Sequence, residues 1–276
     1  MLDSATLGLP VDTLAARYRS APVFPHLVLD DFFDAALLRE AVADFPRISD
    51  DGWIHYQHVN ENKGGLNKRD VIPPKLLSII DTLNGPDFVG WLARLTGIAG
   101  LMPDPSLEGG GLHQINPGGF LNIHADFTVH PHHKMWRRRV NVLLYLNQDW
   151  REEYGGKLEL WTKDMQRCFE DVLPVFNRCV IFNTDADSYH GHPKPLTCPA
   201  GMTRKSIALY YFTEESVTPR KIATNYRARP EDGLRSILIY LDKKILWLYN
   251  LAKSVFGFDD TTVAKILNIV RKVRER

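Results

Sequence analysis

The chain is short of cysteine, has no excess charge of one sign and lacks any long apolar run, and each shortage removes a class of protein. Cys168, Cys179 and Cys198 are an odd set with no C-x-x-C pair, which argues against a disulfide framework or a zinc ribbon. A reducing cytoplasm suits them. With 34 basic and 33 acidic residues the formal net charge is +1, so no field draws nucleic acid to the surface. No stretch of about 18 uncharged apolar residues occurs, which excludes a spanning helix. Residues 1–19 carry acids and Pro10 but neither a basic leader nor an apolar core, and no secretory signal is expected there.

What remains is a globular composition, 276 residues of which 44% are hydrophobic, enough for one large core or a core with an appendage. Phe24 to Asp30 predicts an opening strand, with Pro25 near its start. Asp34 predicts the cap of a helix from Ala35 to Phe45, in which Leu37, Leu38, Ala41, Val42 and Phe45 recur at helical spacing before Pro46. Gly52 to Asp70 is polar and turn-rich around Gly64-Gly65, the composition of a lid, a binding loop or a solvated connector. Pro73 to Gly97 predicts two helices broken near Gly85-Pro86, with Phe88, Trp91, Leu92 and Leu95 on one core face and Gly97 as C-cap. After Gly109-Gly110-Gly111 the pattern changes. Leu112–Gln114, Phe120–Phe127, Val140–Asn147, Lys157–Trp161, Cys179–Asn183 and Arg204–Thr213 are short β-like runs between turns, the rhythm of a sandwich or barrel closed as a jelly roll. From Glu231 to Arg276 a basic, helical stretch carries apolar stripes from Leu234 to Leu251 and from Val263 to Val270. It suits packing on the barrel, then a homodimer contact, then peripheral contact with an anionic membrane. The expected organisation is an N-terminal strand and bracing helices (1–104), a β core of the same domain (105–229) and an amphipathic tail (230–276).

Chemistry concentrates in Phe120 to Asp126. Successive side chains of a strand alternate, so His124 and Asp126 project from one face while Ile123 and Ala125 pack behind them. An imidazole and a carboxylate so placed suit a divalent ion that takes a third ligand from elsewhere. Asp187-Ser188-Tyr189-His190-Gly191-His192-Pro193 offers that ligand as His190 or His192. Further on, Arg204 and Ser206 share a strand face, and an inward guanidinium needs an anion; the free end of a dicarboxylate would serve. In Arg139 to Asn147, Arg139, Asn141, Leu143 and Tyr145 share a face, which suggests a lined cavity. His130, His132 and His133 surround Pro131 beside the basic run Arg137-Arg138-Arg139 and read as an exposed loop rather than the main metal site.

The order His124-x-Asp126, Tyr145-Leu146-Asn147, Gly155-Gly156-Lys157-Leu158, His190 and Arg204-x-Ser206 resembles the Fe(II)/2-oxoglutarate-dependent oxygenases, in their prolyl-4-hydroxylase-like branch. The resemblance spans residues 105–213 and, more loosely, 22–100. It implies a double-stranded β-helix with the metal in the barrel mouth, Fe(II) on His124, Asp126 and His190, and O2 entering last. It prefers His190 to His192, places Tyr145 with Arg204 on the distal carboxylate of 2-oxoglutarate, and packs Leu158 beside that cosubstrate. The intact Asp126 implies hydroxylation rather than halogenation. Gln114, Asn122 and Arg139 are candidates to face the substrate, with Trp161 on the rim, and Glu159 is an alternative partner for Arg139. The substrate class stays open between a small molecule and a peptide. Two other readings are a metabolite-binding jelly roll without turnover and a zinc-dependent hydrolase on the same His-Asp-His set.

Overall fold

Runs of β-branched and aromatic residues between turn formers have one economical way to satisfy their backbone groups, which is to pair strand against strand. The computed structural model describes residues 10–234 and 236–241, and its strands all join one antiparallel sheet. They are β1 (His26–Leu29), β2 (Ile54–His58), β3 (Glu61–Leu66), β4 (Met102–Pro103), β5 (Gly111–Ile115), β6 (Phe120–Ala125), β7 (Trp136–Tyr145), β8 (Leu158–Trp161), β9 (Cys168–Val172), β10 (Cys179–Asn183), β11 (His190–His192), β12 (Arg204–Glu214) and β13 (Asn225–Tyr226). The hydrogen-bonded order is β1-β10-β7-β12-β5-β3-β6-β11-β8-β9, with β2 on β3, β4 on β12 and β13 on β6. So long a twisted sheet curls over on itself, and the result is the expected jelly roll.

Alternation along β7 shows the two sides. Val140, Val142 and Leu144 pack outward into a core with Phe88, Trp91, Leu92 and Tyr211, whereas Leu143 and Tyr145 turn inward to Leu158, Leu160, Val180 and Phe182. The outer face is covered by α1 (Val11–Ser20), α2 (Ala35–Ala43), α3 (Pro74–Leu83) and α4 (Pro86–Thr96). Asp34 caps α2 through Oδ1, which accepts from the amides of Ala36 and Leu37 at 2.9 Å. Gly97 ends α4 with φ 73°, as its predicted C-cap role requires. Helix α1 carries no sequence expectation, and it docks through Tyr18, whose hydroxyl donates to Asn183 Oδ1 at 2.6 Å.

One expectation is corrected. Gly52 to Asp70 is neither lid nor connector over most of its length, because β2 and β3 form a hairpin and β3 is inserted between β5 and β6. The partners supply what the composition lacks, since Glu61-Asn62-Lys63-Gly64-Gly65 has poor strand propensity and forms a strand only because two open edges receive it. No helix among the described residues is long and apolar enough to cross a membrane. The tail reading falls mostly outside the described residues, including both stripes beyond Leu241; of the earlier members Leu234, Ile237, Leu238 and Leu241 are exposed.

Trp91 is fully buried and stacks on Phe88 with ring centroids 5.5 Å apart. Trp91→Ala should therefore destabilise the fold by about 3–5 kcal/mol, read as a lower urea midpoint at unchanged slope.

Candidate metal centre

Strand β6 delivers His124 inward because Ile123 and Ala125 are claimed by the other side, where they pack with Trp161, Met165 and Tyr189. Strand β11 runs antiparallel to β6 and pairs His190 directly with His124, and the two rings lie 4.5 Å apart. Asp126 follows the end of β6. One ligand atom from each of His124, Asp126 and His190 lies within 4.8 Å of the others, the one such group among the described residues that could hold a metal ion. His192 is not part of it.

Backbone carbonyls set the tautomers. Nδ1 of His124 lies 2.9 Å from the carbonyl of Asn122 and Nδ1 of His190 lies 3.0 Å from that of Ser188. A carbonyl only accepts, so both Nδ1 atoms carry the proton and both Nε2 lone pairs are left free. Those Nε2 atoms point at opposite oxygens of Asp126, His124 to Oδ1 and His190 to Oδ2, each at 3.6 Å. Burial and then the neighbouring His124 push His190 down to about 4, so it is a neutral ligand at physiological pH. Burial would raise Asp126, but Arg138 and then the two histidines outweigh it and hold the carboxyl well below its usual range.

Arg138 is the residue that sequence reasoning missed. Its guanidinium is 1% exposed, meets Asp126 Oδ2 at 3.0 Å, donates to Asn141 Oδ1 and lies 3.5 Å over the ring of Tyr210. Asn141 Nδ2 donates to the same Asp126 oxygen at 2.8 Å. Simple alternation would give this place to Arg139. The strand pairing shows why it does not: β12 sets Tyr211 against Val140 but Phe212 against Arg138, so Arg139 is an extra residue and the inward parity moves by one. Arg139 instead lies half-exposed with Thr213 and Glu215, not with Glu159, which accepts from Trp161 Nε1.

Further along the interior, Ser206 pairs with Tyr145 on one side and His113 on the other, and Arg204 lies on the same face as Ser206. Arg204 is buried. Its Nε donates to the carbonyl of Gly156 at 2.9 Å and one terminal nitrogen lies 3.4 Å from the Tyr145 hydroxyl. Gly156 has φ 72°, and a Cβ there would come within 3.0 Å of Arg204 Cδ and 2.6 Å of Leu196, so this contact requires glycine. Burial lowers the pKa of Arg204, with Tyr145 opposing, and among the described residues no carboxylate pairs with it. Leu158 packs against the Tyr145 ring side of this pocket. His192 is buried beside Arg204, and burial followed by the charges of Arg204 and Lys63 holds it neutral; burial and Lys63 likewise push His113 to about 3. Lys63 pairs with Glu61 at 3.1 Å, and Glu61 also meets His58 and the Tyr226 hydroxyl.

The other expected contacts lie elsewhere. Gln114 is on the face of β5 opposite His113 and donates to Thr203, because its neighbour in register is the outward Lys205. Asn122 is occupied with the Val59 carbonyl and the Asn60 side chain, tying β6 to the β2–β3 turn. Trp161 belongs to the apolar cluster behind His124, because alternation along β8 turns Leu158 and Leu160 inward and sends Glu159 and Trp161 to the other face. His132 and His133 are exposed as expected, but His130 is buried against Asp104 and Trp136, and its Nδ1 accepts from the backbone amides of His132 and His133. The basic run beside them is strand β7 rather than loop, paired along β12.

The sequence profile of the 2OG-Fe(II) oxygenase superfamily matches residues 110–212. Among solved structures, a Pseudomonas putida prolyl-4-hydroxylase is similar at 18% identity and TM-score 0.52, covering 73% of this chain and 100% of its own. A Trichoplax adhaerens prolyl hydroxylase, solved with a hypoxia inducible factor oxygen degradation domain peptide fragment, gives 17% identity and TM-score 0.53 over 73% of this chain and 90% of its own. A prolyl 4-hydroxylase from Phytophthora capsici gives 19% and 0.52 over 84% and 69%. At these identities the structures show a shared fold. No curated protein matches the chain by sequence.

Two outcomes follow. His190→Ala should abolish tight metal uptake while His192→Ala keeps it, read by metal analysis after desalting. The metal-free protein should lose stability as pH falls from about 6.5, because unfolded histidines take protons there and the buried rings of His113 and His190 do not until far lower. The slope is on the order of 1.4 kcal/mol per pH unit for each such ring, and His113→Gln should flatten it in urea titrations at stepped pH.

Proposed function

We propose, from the premise that residues 110–212 belong to the 2OG-Fe(II) oxygenase superfamily and make this chain an iron- and 2-oxoglutarate-dependent dioxygenase, that it hydroxylates an unactivated C–H bond. The cofactors are Fe(II), 2-oxoglutarate and O2. His124, Asp126 and His190 would hold the iron, and their donor set of two imidazoles and one ionised carboxylate suits it. Arg204, Tyr145 and Ser206 would take the distal carboxylate of 2-oxoglutarate, with Leu158 packing against its carbon chain.

One observation carries this reading: a buried guanidinium with no carboxylate partner among the described residues, its terminal nitrogen beside a tyrosine hydroxyl, opens on the same interior as the triad. Leaving such a cation unanswered is costly, and a ligand carboxylate answers it with charge-assisted hydrogen bonds. When bound, iron, O2 and 2-oxoglutarate supply an oxidative decarboxylation to succinate and CO2 coupled to transfer of one oxygen atom to substrate. The protein's part is to hold Asp126 ionised through Arg138 and Asn141, to fix both imidazole tautomers, and to keep the interior dry.

The substrate would be a small molecule or a peptidyl residue; the peptide bound to the Trichoplax enzyme supports including the latter. The three free cysteines suit a reducing cytoplasm. We take 1–229 as one catalytic unit, with the tail beyond it available for packing, dimerisation or a membrane surface.

The test is succinate release under O2 with Fe(II), run over pooled metabolites and peptides, and no succinate from any pool would defeat the reading. In the same assay Arg204→Met should raise the KM for 2-oxoglutarate about 10- to 100-fold, the worth of a hydrogen-bonded charge contact, and Tyr145→Phe about fivefold.

A further inference from the structure

His192 is the one histidine of its segment to which neither the metal nor the backbone gives a role. It is 3% exposed, and neither Nδ1 nor Nε2 has a hydrogen-bond partner. Buried imidazoles nearly always have one, so an orphan of this kind points to a group that arrives later. On β11 it alternates with Gly191, and a Cβ on Gly191 would come within 2.8 Å of the carbonyls of Leu121 and Asn122. That face of β11 is therefore pressed against β6, and both histidines share the other face, the one on which His190 meets His124 and Phe182.

We infer, on the basis of the proposed function, that His192 donates a hydrogen bond to a carboxylate oxygen of 2-oxoglutarate, a third arm beside Arg204 and Tyr145. It sits one strand period beyond His190, about 7 Å along β11. Arg204, Lys63, His124 and His113 bear on it, and Lys157, Lys194, Glu152, Glu159 and Asp171 line a pocket that it borders. Arg204 and Lys63 can only donate, and Nδ1 of His124 is committed to the Asn122 carbonyl. In either protonation state the ring carries at least one N–H, neither ring nitrogen has a partner, and Arg204 and Lys63 favour an incoming anion. A dicarboxylate stretched from the triad to Arg204 passes this position and brings spare oxygen lone pairs. His192 as an alternative iron ligand does not fit, since His190 completes the cluster and is already oriented by Ser188.

The experiment uses the intact protein, loaded anaerobically with Fe(II) and titrated with 2-oxoglutarate without substrate. Occupancy is read from the visible charge-transfer absorbance of the iron–keto acid complex. His192→Leu should weaken 2-oxoglutarate about tenfold, equivalent to ~1.4 kcal/mol, with Fe(II) affinity within twofold of wild type, and His192→Gln should recover part of the loss. Binding of 2-oxoglutarate by His192→Leu within twofold of wild type overturns the inference, and so does loss of iron from both variants. Arg204→Met separates the two levels: no absorbance from wild type defeats the proposed function itself, whereas a loss in Arg204→Met without one in His192→Leu defeats only the role of His192. Should His192→Leu fail to fold, 15N-histidine spectra of the Zn(II)-loaded wild type decide. A ring N–H that is absent from His192→Gln must shift downfield when 2-oxoglutarate is added, and an unmoved signal overturns the assignment.

Discussion

The arrangement depends on keeping one carboxylate ionised inside a barrel. Asp126 could relieve its burial by taking a proton, and it would then be a poor metal ligand. Arg138 and Asn141 prevent this by meeting the same oxygen, Oδ2, at 3.0 and 2.8 Å. These partners come from β7, whereas Asp126 follows β6, and β12, β5 and β3 lie between the two in the sheet. The ion pair therefore reaches across the lumen. It can form only if the sheet curls, so closure of the fold and the charge state of the site are one requirement.

The interior has a matching electrostatic economy. Arg138, Arg204 and Lys63 face Asp126 and Glu61, and His113, His190 and His192 are held neutral. Arg138 and Lys63 have their acids beside them, while Arg204 is left for something that enters. Under the proposed function the iron adds two positive charges and the cosubstrate brings two negative ones, so binding of each favours the other. The neutral imidazoles let this happen without proton release at physiological pH.

Much of this could be read from the sequence where a simple period holds. His124 lies opposite its neighbours Ile123 and Ala125, Tyr145 and Ser206 face each other by register, and α2 and α4 begin or end where Asp34 and Gly97 say they should. The period fails where the tertiary pairing decides. Arg138 replaces Arg139 because one extra residue in β7 is absorbed against Phe212, and nothing local in Arg137-Arg138-Arg139 says which of the three will be squeezed. Trp161 and Gln114 follow the period of their strands, Trp161 on the face opposite Leu158 and Leu160 and Gln114 on the face opposite His113. The β2–β3 hairpin was illegible for another reason, since its residues have little preference of their own and take strand form from the edges they fill.

That hairpin also bears on what counts as the folding unit. Residues 110–212 contain β5 and β6 but not β3, the strand that joins them. A fragment cut to that span would carry a slit down its wall, two rows of unanswered amides and carbonyls flanking the lumen. Such edges recruit strands from other molecules, so the excised span is inclined to polymerise rather than stand alone. The segment with the least β character in the chain is thus its keystone.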